Sequence, residues 1–255
     1  MVTLGRINVT PVKGTALQHP ASADLSPIGI AGNRRFHLAD ERRRLFSGLG
    51  YGPLVLVTSE IEDGVLRCRF PDGSVVEAKT DDLGEPESTD FNGREVPGRP
   101  VDGEISSVFS AYVGAEVRLI RTERDGDGPD EMPLTLVSFA SVDALGRHGG
   151  YDGDLDPLRF RINLELDGAE PFEEEAWDGK RVQAGGAVLR IDGQIPRCAV
   201  TTQNPTTGVQ DWNTLKQIAS FRPLMATRQV PFGVYATVEQ PGRVAVGDAV
   251  APLDA

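Results

Sequence analysis

The stretch VLRCRFPDGSVVEAK, residues 65–79, decides the fold class. VLRCRF alternates apolar and polar side chains, SVVEAK resumes the pattern, and Pro71-Asp72-Gly73 between them is a turn-forming triplet. The segment therefore reads as a β-hairpin. Outward from it, the same pattern recurs. GRINVTPV (5–12), RRFHLAD (34–40), YVGAEVRLIRT (112–122) and RFRINLEL (159–166) read as strands, and so does AVLRIDGQIPRCAVTT (187–202) after the turn-rich EEEAWDGKRVQAGG. YGPLVLVTSEI (51–61) reads as a buried strand, and the last two dozen residues as two strands about Pro241-Gly242. The polar residues 79–100 read as a loop between strands, and RDGDGPDEMP (124–133) as an exposed, solvated acidic connection.

Helices are few. SFASVDALGRHGG (138–150) predicts a short one, capped by Ser141 and ended by Gly149-Gly150. DWNTLKQIASFRP (211–223) predicts the best one, capped by Asp211 or Asn213, with Leu215, Ile218 and Ala219 on one face and Pro223 as its stop. With 29 glycines and 18 prolines, the chain is expected to be mainly β with a few short helices, in a barrel-like or sandwich arrangement. A second region begins near Val101, which divides the chain into 1–100 and 101–255.

The formal charge of −12 argues against a nucleic-acid surface, because neutralising phosphates needs clustered Lys and Arg. A locally basic pocket for a small anion is compatible with it. No window reaches the roughly 18 apolar residues of a membrane span, and MVTLGRINVTPVKG lacks a signal-peptide core, so no membrane association and a cytoplasmic location are expected. Two cysteines without a CxxC pair give neither a zinc site nor a disulfide framework. Cys68 reads as a strand residue, and His19, His37 and His148 as structural or exposed.

Four stretches suit an anion and a soft metal. TPVKG puts Lys13 at a strand end beside Gly14, and AGNRRFHL puts Arg34 and Arg35 after a turn. RFRIN places Arg159, Arg161 and Asn163 on one face if it is a strand. IPRCAVTT puts Arg197 directly before Cys198. Guanidinium forks bind phosphate bidentately, and a neighbouring cation favours the thiolate, the form that binds metal. From the residues alone this is an anion pocket with one special cysteine.

The same stretches resemble the MOSC family of molybdenum-cofactor proteins, in the two-part form of the amidoxime-reducing component and its bacterial relatives. LGRINVTPVKG and SPIGIAGNRRFHLAD are similar to the family's opening strand with its PVK and its G-D-R-x-W element. LTLVSFASVDAL, RFRINLELDGAEPFEEEAWDGKRVQAGGAVLRI, IPRCAVTTQNPTTGVQD, FGVYATV and PGRVAVGDAV carry the rest, the R-C-x-x-T-x-x-N/D-P-x-T-G string being the most specific. Gly14 stands where the family often has Ser, Asn33 and Phe36 replace the Asp and Trp of G-D-R-x-W, and Ile162 replaces the Pro of R-P-N.

The resemblance implies a MOSC-type β-barrel domain packed with an N-terminal β-rich region. It implies molybdenum–molybdopterin as cofactor, with no need of pyridoxal phosphate, in a bacterial, cytoplasmic protein. Cys198 would be the metal ligand and catalytic residue. Lys13, Arg34, Ser141, Arg161, Asn163, Arg197 and Cys198 would contact the cofactor. The implied activity is reduction of N-hydroxylated or N-oxygenated small molecules, with electrons from a separate flavoprotein or iron–sulfur protein. Two alternatives accompany it: a non-catalytic carrier of the cofactor, and a persulfide carrier through Cys198. The Lys13, Arg34, Arg161 and Asn163 constellation favours the reductase over the persulfide carrier, which needs no phosphate and pterin cradle.

Overall fold

The structure is a computed structural model that describes residues 1–253. Its strands outnumber its helices, and they build two bodies with separate cores. The larger is a seven-stranded sheet in the order Thr3–Ile7, Leu164–Asp167, Leu134–Ser138, Val230–Gln240, Ala187–Arg197, Arg181–Ala184 and Val250–Pro252. Its two outer strands meet through backbone hydrogen bonds from Leu4 to Asp248, from Gly247 to Leu4 and from Val250 to Val2, so the sheet curls into a barrel. Closure leaves no row of unpaired amides at an edge. Inward-facing Leu4, Leu136, Leu166, Leu189 and Ala236 fill the interior.

All pairings in the barrel are antiparallel except that of Leu134–Ser138 with Leu164–Asp167. A parallel pair needs a crossover. Here the crossover carries the helix Phe139–Gly149. Its cap is Ser138, whose hydroxyl accepts from the Ser141 amide at 3.1 Å, and not Ser141 as the sequence suggested. The helix Thr214–Phe221 is capped by Asn213 and buries Thr214 and Ile218, whereas Ala219 is exposed. Both helices pack with Phe160, Ile195 and Phe232 in a third cluster, on the side of the barrel that carries Cys198.

The smaller body holds a five-stranded sheet, Leu45–Phe46, Phe36–Asp40, Val117–Thr122, Arg94–Pro100 and Glu87–Phe91, and the three strands of the 58–79 meander. The hairpin about Pro71-Asp72-Gly73 is present in register, with Cys68 opposite Val76. A helix, Ile105–Val113, buries Ile105 and Phe109 under these sheets, where local sequence carries no helix signal. Residues 79–100 are not a loop: most of them form a hairpin whose tip is Asn92-Gly93, both at positive φ, the conformation a two-residue hairpin turn needs. Gly52–Leu56 is a 3-10 turn rather than strand, because Pro53 favours a turn and has no amide for a ladder, and the strand expected at 51–61 begins only at Thr58. The C-terminal residues form three strands, Val230–Gln240, Gly242–Ala245 and Val250–Pro252, where two were expected.

Each body draws on segments from both sides of residue 100. The strand Thr3–Ile7 belongs to the barrel, and the helix Ile105–Val113 and strand Val117–Thr122 belong to the smaller body. The bodies are thus threaded through each other, with the 123–133 connection running between them.

Candidate anion and metal site

Lys13 follows the fully buried Val12 and is itself buried, and its amide donates to the Phe36 carbonyl at 2.8 Å. Gly14 comes next at φ +98, a left-handed turn that a side chain would strain. Arg34 sits in the 31–34 turn at φ 55, its amide held by Thr10. Asn33 accepts from the Thr10 amide at 3.1 Å, so it fixes that turn against the opening segment. Arg161 also lies in the left-handed region, ending the 3-10 turn Pro157–Phe160. The Arg34 guanidinium donates to the Arg161 carbonyl at 3.0 Å, and Arg161 donates to the Thr15 carbonyl at 2.7 Å. Arg34 is therefore tied to the backbone of Arg161, and Arg161 to the backbone of the opening segment.

One carboxylate meets them. Asp130 Oδ1 lies 2.9 Å from Lys13 Nζ, and Oδ2 lies 3.8 Å from Arg34. Lys13 also donates to the Gly128 carbonyl at 2.8 Å and sits over the Phe91 ring, which Arg94 shares. Burial, aided by Arg34 and Arg94 and opposed by Asp130, lowers the Lys13 ammonium to about 8. Burial and Arg34 likewise bring Arg161 to about 9. Burial would raise the Asp130 carboxyl, but Lys13 and Arg34 outweigh it and hold it below the usual range. The cluster therefore carries more positive charge than its one carboxylate neutralises, which suits an added anion.

Cys198 ends the strand Ala187–Arg197 and starts the 3-10 turn Ala199–Thr202. Its thiol is free and exposed, whereas Cys68 is free and buried, with burial pushing its thiol up to about 12. Arg197 turns inward. Its guanidinium donates to the Phe232 carbonyl at 2.7 Å and the Phe160 carbonyl at 3.2 Å, and lies over the Phe160 ring. Its Nη2 is buried without a partner. Burial lowers Arg197 to about 10, and its bond to the carbonyl of Phe160, the residue before Arg161, brings the cysteine strand against the segment that carries that cation. A cavity of about 270 Å³ opens where that turn ends, lined by Thr202, Gln210, Asp211, Trp212 and Asn213.

The expected single strand face of Arg159, Arg161 and Asn163 does not exist. Pro157 favours a helical turn, so Arg159 is swallowed into the core and bonded to Asp211 and the Thr201 carbonyl. Asn163 spends its side chain on Thr135 at 3.1 Å and the Asn8 carbonyl at 3.2 Å. Ser141 spends its hydroxyl on Glu174, Ser138 and the Phe172 amide. Asp130, Arg94 and Phe91 join the site from segments whose sequence reads as loop. The signal for Asp130 lay in the 124–133 stretch, which is not merely a solvated connection: Gly128 and Pro129 are buried and Asp130 pairs with Lys13. His37 is structural, bonded to Thr89, and burial pushes it down to about 3, so it stays neutral beside Lys13.

Among the described residues no three His, Cys, Asp or Glu side chains come together as a metal cage. A metal on Cys198 would bring its other ligands on an anionic carrier, and the chemistry here, one accessible thiol beside under-compensated buried cations, fits such a carrier.

Residues 123–251 match the family described as "MOSC domain". The chain belongs to the MOSC domain family. It is 26% identical over 281 residues to "Mitochondrial amidoxime reducing component 2" of Homo sapiens, covering 97% of this chain and 82% of that one. It is 29% identical over 175 residues to "Molybdenum cofactor sulfurase" of Drosophila mojavensis, covering 61% of this chain and 21% of that much longer one. Among solved structures, the YUAD protein from Bacillus subtilis aligns over 98% of this chain and 94% of its own, at 13% identity and a TM-score of 0.48. No helix among the described residues is long and apolar enough to cross a membrane.

Proposed function

We propose that this chain binds a molybdenum–pterin cofactor between its two bodies and reduces N-oxygenated small molecules with electrons from a separate donor protein. The observation that carries the reading is the buried cluster Lys13, Arg34 and Arg161, assembled from both bodies, in the neighbourhood of an exposed free Cys198. The likeness to an amidoxime reducing component along 97% of the chain supports the substrate class. Lys13, Arg34 and Arg161 hold the cofactor's phosphate as charge-assisted donors. Cys198 supplies the protein's thiolate to the metal. Arg197, committed to two backbone carbonyls, fixes the strand end from which Cys198 projects. Ser141 and Asn163, whose side chains are bonded inside the protein, act through the segments they hold.

When bound, the metal centre supplies the two-electron exchange. Reduction of an N–OH group to N–H consumes two electrons and two protons and releases water. The electrons come from a flavoprotein or iron–sulfur protein, or in the assay from a reduced viologen. The test measures molybdenum content and viologen-driven amidoxime reduction for protein made in a cofactor-competent host. Cys198→Ala is expected to abolish turnover with the fold intact, while Cys68→Ser keeps both metal and turnover. Full turnover by Cys198→Ala overturns the ligand role. Molybdenum without turnover in the unmodified chain favours a carrier.

A further inference from the structure

The cationic cluster is held together by contacts from one acidic segment. Four basic groups meet there: Lys13 and Arg94 share the Phe91 ring, and Arg34 bonds the Arg161 carbonyl. Among the described residues the ion-pair partner of Lys13 and Arg34 is Asp130, and Arg94 and Arg161 have none. The exposures are ordered: the Lys13 side chain is 8% exposed, Arg34 13% and Asp130 60%. The carboxylate thus lies on the solvent side of the cations. It approaches from the direction an incoming anion would take.

The segment that carries Asp130 is held by the same kind of contact along its length. Arg35 pairs with Asp125, and Arg94 donates to the Asp127 carbonyl at 3.1 Å and the Pro129 carbonyl at 2.6 Å. Lys13 donates to the Gly128 carbonyl. Gly128 is pressed so closely on Arg34 that a Cβ there would overlap the Arg34 carbonyl. Residues 124–132 contain no strand or helix, and Gly126 holds φ +90, a conformation glycine adopts without steric cost. Basic side chains of the smaller body therefore grip an acidic segment that leads directly into the barrel strand Leu134–Ser138.

We propose that residues 124–132 form a strap that closes the anion site from within the chain, the Asp130 carboxylate standing on Lys13 and Arg34 in the place of a ligand phosphate, which enters by displacing it. The inference rests on the anion-site reading given above. Exchange of one carboxylate for a phosphate leaves Lys13 and Arg34 paired in both states. A phosphate dianion also neutralises more of the cluster than the single Asp130 charge does. With the strap closed, only the open fraction of molecules binds, and apparent affinity falls by that fraction.

The experiment titrates the full-length chain, free of cofactor, with inorganic phosphate and with pyrophosphate by calorimetry and ³¹P NMR. Wild type, Asp130→Asn, Asp127→Asn and Lys13→Met are compared, each checked for folding by circular dichroism. Asp130→Asn removes the competing charge without changing side-chain size, and is expected to tighten binding about tenfold, the equivalent of one charge-assisted contact. Asp127→Asn removes equal charge from the same strap but no ion pair with Lys13, and is expected to change affinity less than about threefold, as a screened surface charge does. Backbone amides of 126–131 should exchange hydrogen faster at saturating phosphate. Unchanged or weaker binding by Asp130→Asn, an equal gain from Asp127→Asn, or slower strap exchange with phosphate overturns the strap while the site stands. Phosphate binding insensitive to Lys13→Met, or absent from every variant, overturns the site and the strap together.

Discussion

Lys13 is the residue whose state the fold alters most consequentially. Its folded value of about 8 lies below the ordinary lysine value of 10.5, because burial among arginines disfavours the ammonium. The unfolded chain therefore holds that proton more tightly than the folded one. Below about pH 8 the full cost of the buried charge is present; it is relieved as pH rises toward 10.5. Unfolding experiments at pH 7.5 and pH 10 should thus show the wild type gaining stability relative to Lys13→Met as pH rises. A gap that stays constant, or narrows in the other direction, contradicts the burial argument. Arg161, brought to about 9, moves with the same sign, which is why the comparison uses a variant at Lys13 alone. Cys198 and Cys68 illustrate the opposite lesson. Each follows an arginine in the sequence, and in the fold one thiol is exposed while the other is buried.

The helix Phe139–Gly149 shows how a local rule and a tertiary one combine. Ser138 and Ser141 both precede or open its first turn, and either is a chemically sound cap. Ser138 caps because the parallel strand Leu134–Ser138 delivers it in extended geometry, ψ 148. Ser141 is then inside the helix, and its hydroxyl turns to Glu174, whose carboxyl burial pushes up. Ser138→Ala removes the cap and one partner of that buried network together. The expected loss is about 1–2 kcal/mol of unfolding free energy, measured by urea titration. A loss within error of zero would mean that the network reorganises around the missing hydroxyl. The overlooked helix Ile105–Val113 has a different cause. SSVFSAYV is short and rich in serine and β-branched residues, poor helix formers taken singly. Burial of Ile105 and Phe109 beneath the sheet makes it a helix.

The barrel needs both ends of the chain. Thr3–Ile7 lies between Leu164–Asp167 and the 247–250 segment, and Leu4 and Ile7 are fully buried there. Residues 123–253 on their own would leave two open edges and an uncovered interior. Such a fragment is expected to aggregate or remain unfolded by size exclusion and near-UV circular dichroism, although residues 123–251 are what the family model matches. In the intact chain, Leu4→Ala should cost about 2–5 kcal/mol. A monomeric, cooperatively folding fragment would show that the first strand is an accessory to the barrel. The N-terminal closing strand also explains why the cluster forms: the segment that completes the barrel runs on directly into Lys13, carrying it to Arg161.

Strand periodicity, the Pro71-Asp72-Gly73 turn, the helix at 214–221 and the string around Cys198 were legible in the sequence, because each depends on neighbours a few residues apart. So was the mainly β class. What only the tertiary structure decided is long-range. It decided that Thr3–Ile7 closes the barrel, that Arg159 is buried while Arg161 faces Arg34, and that a loop carboxylate meets Lys13 117 positions away in the chain. It also withdrew Asn163 and Ser141 into internal hydrogen bonds. The physical reason is that residue type states what a side chain can do, whereas burial and the partner brought from elsewhere in the chain determine which of those capacities remains free.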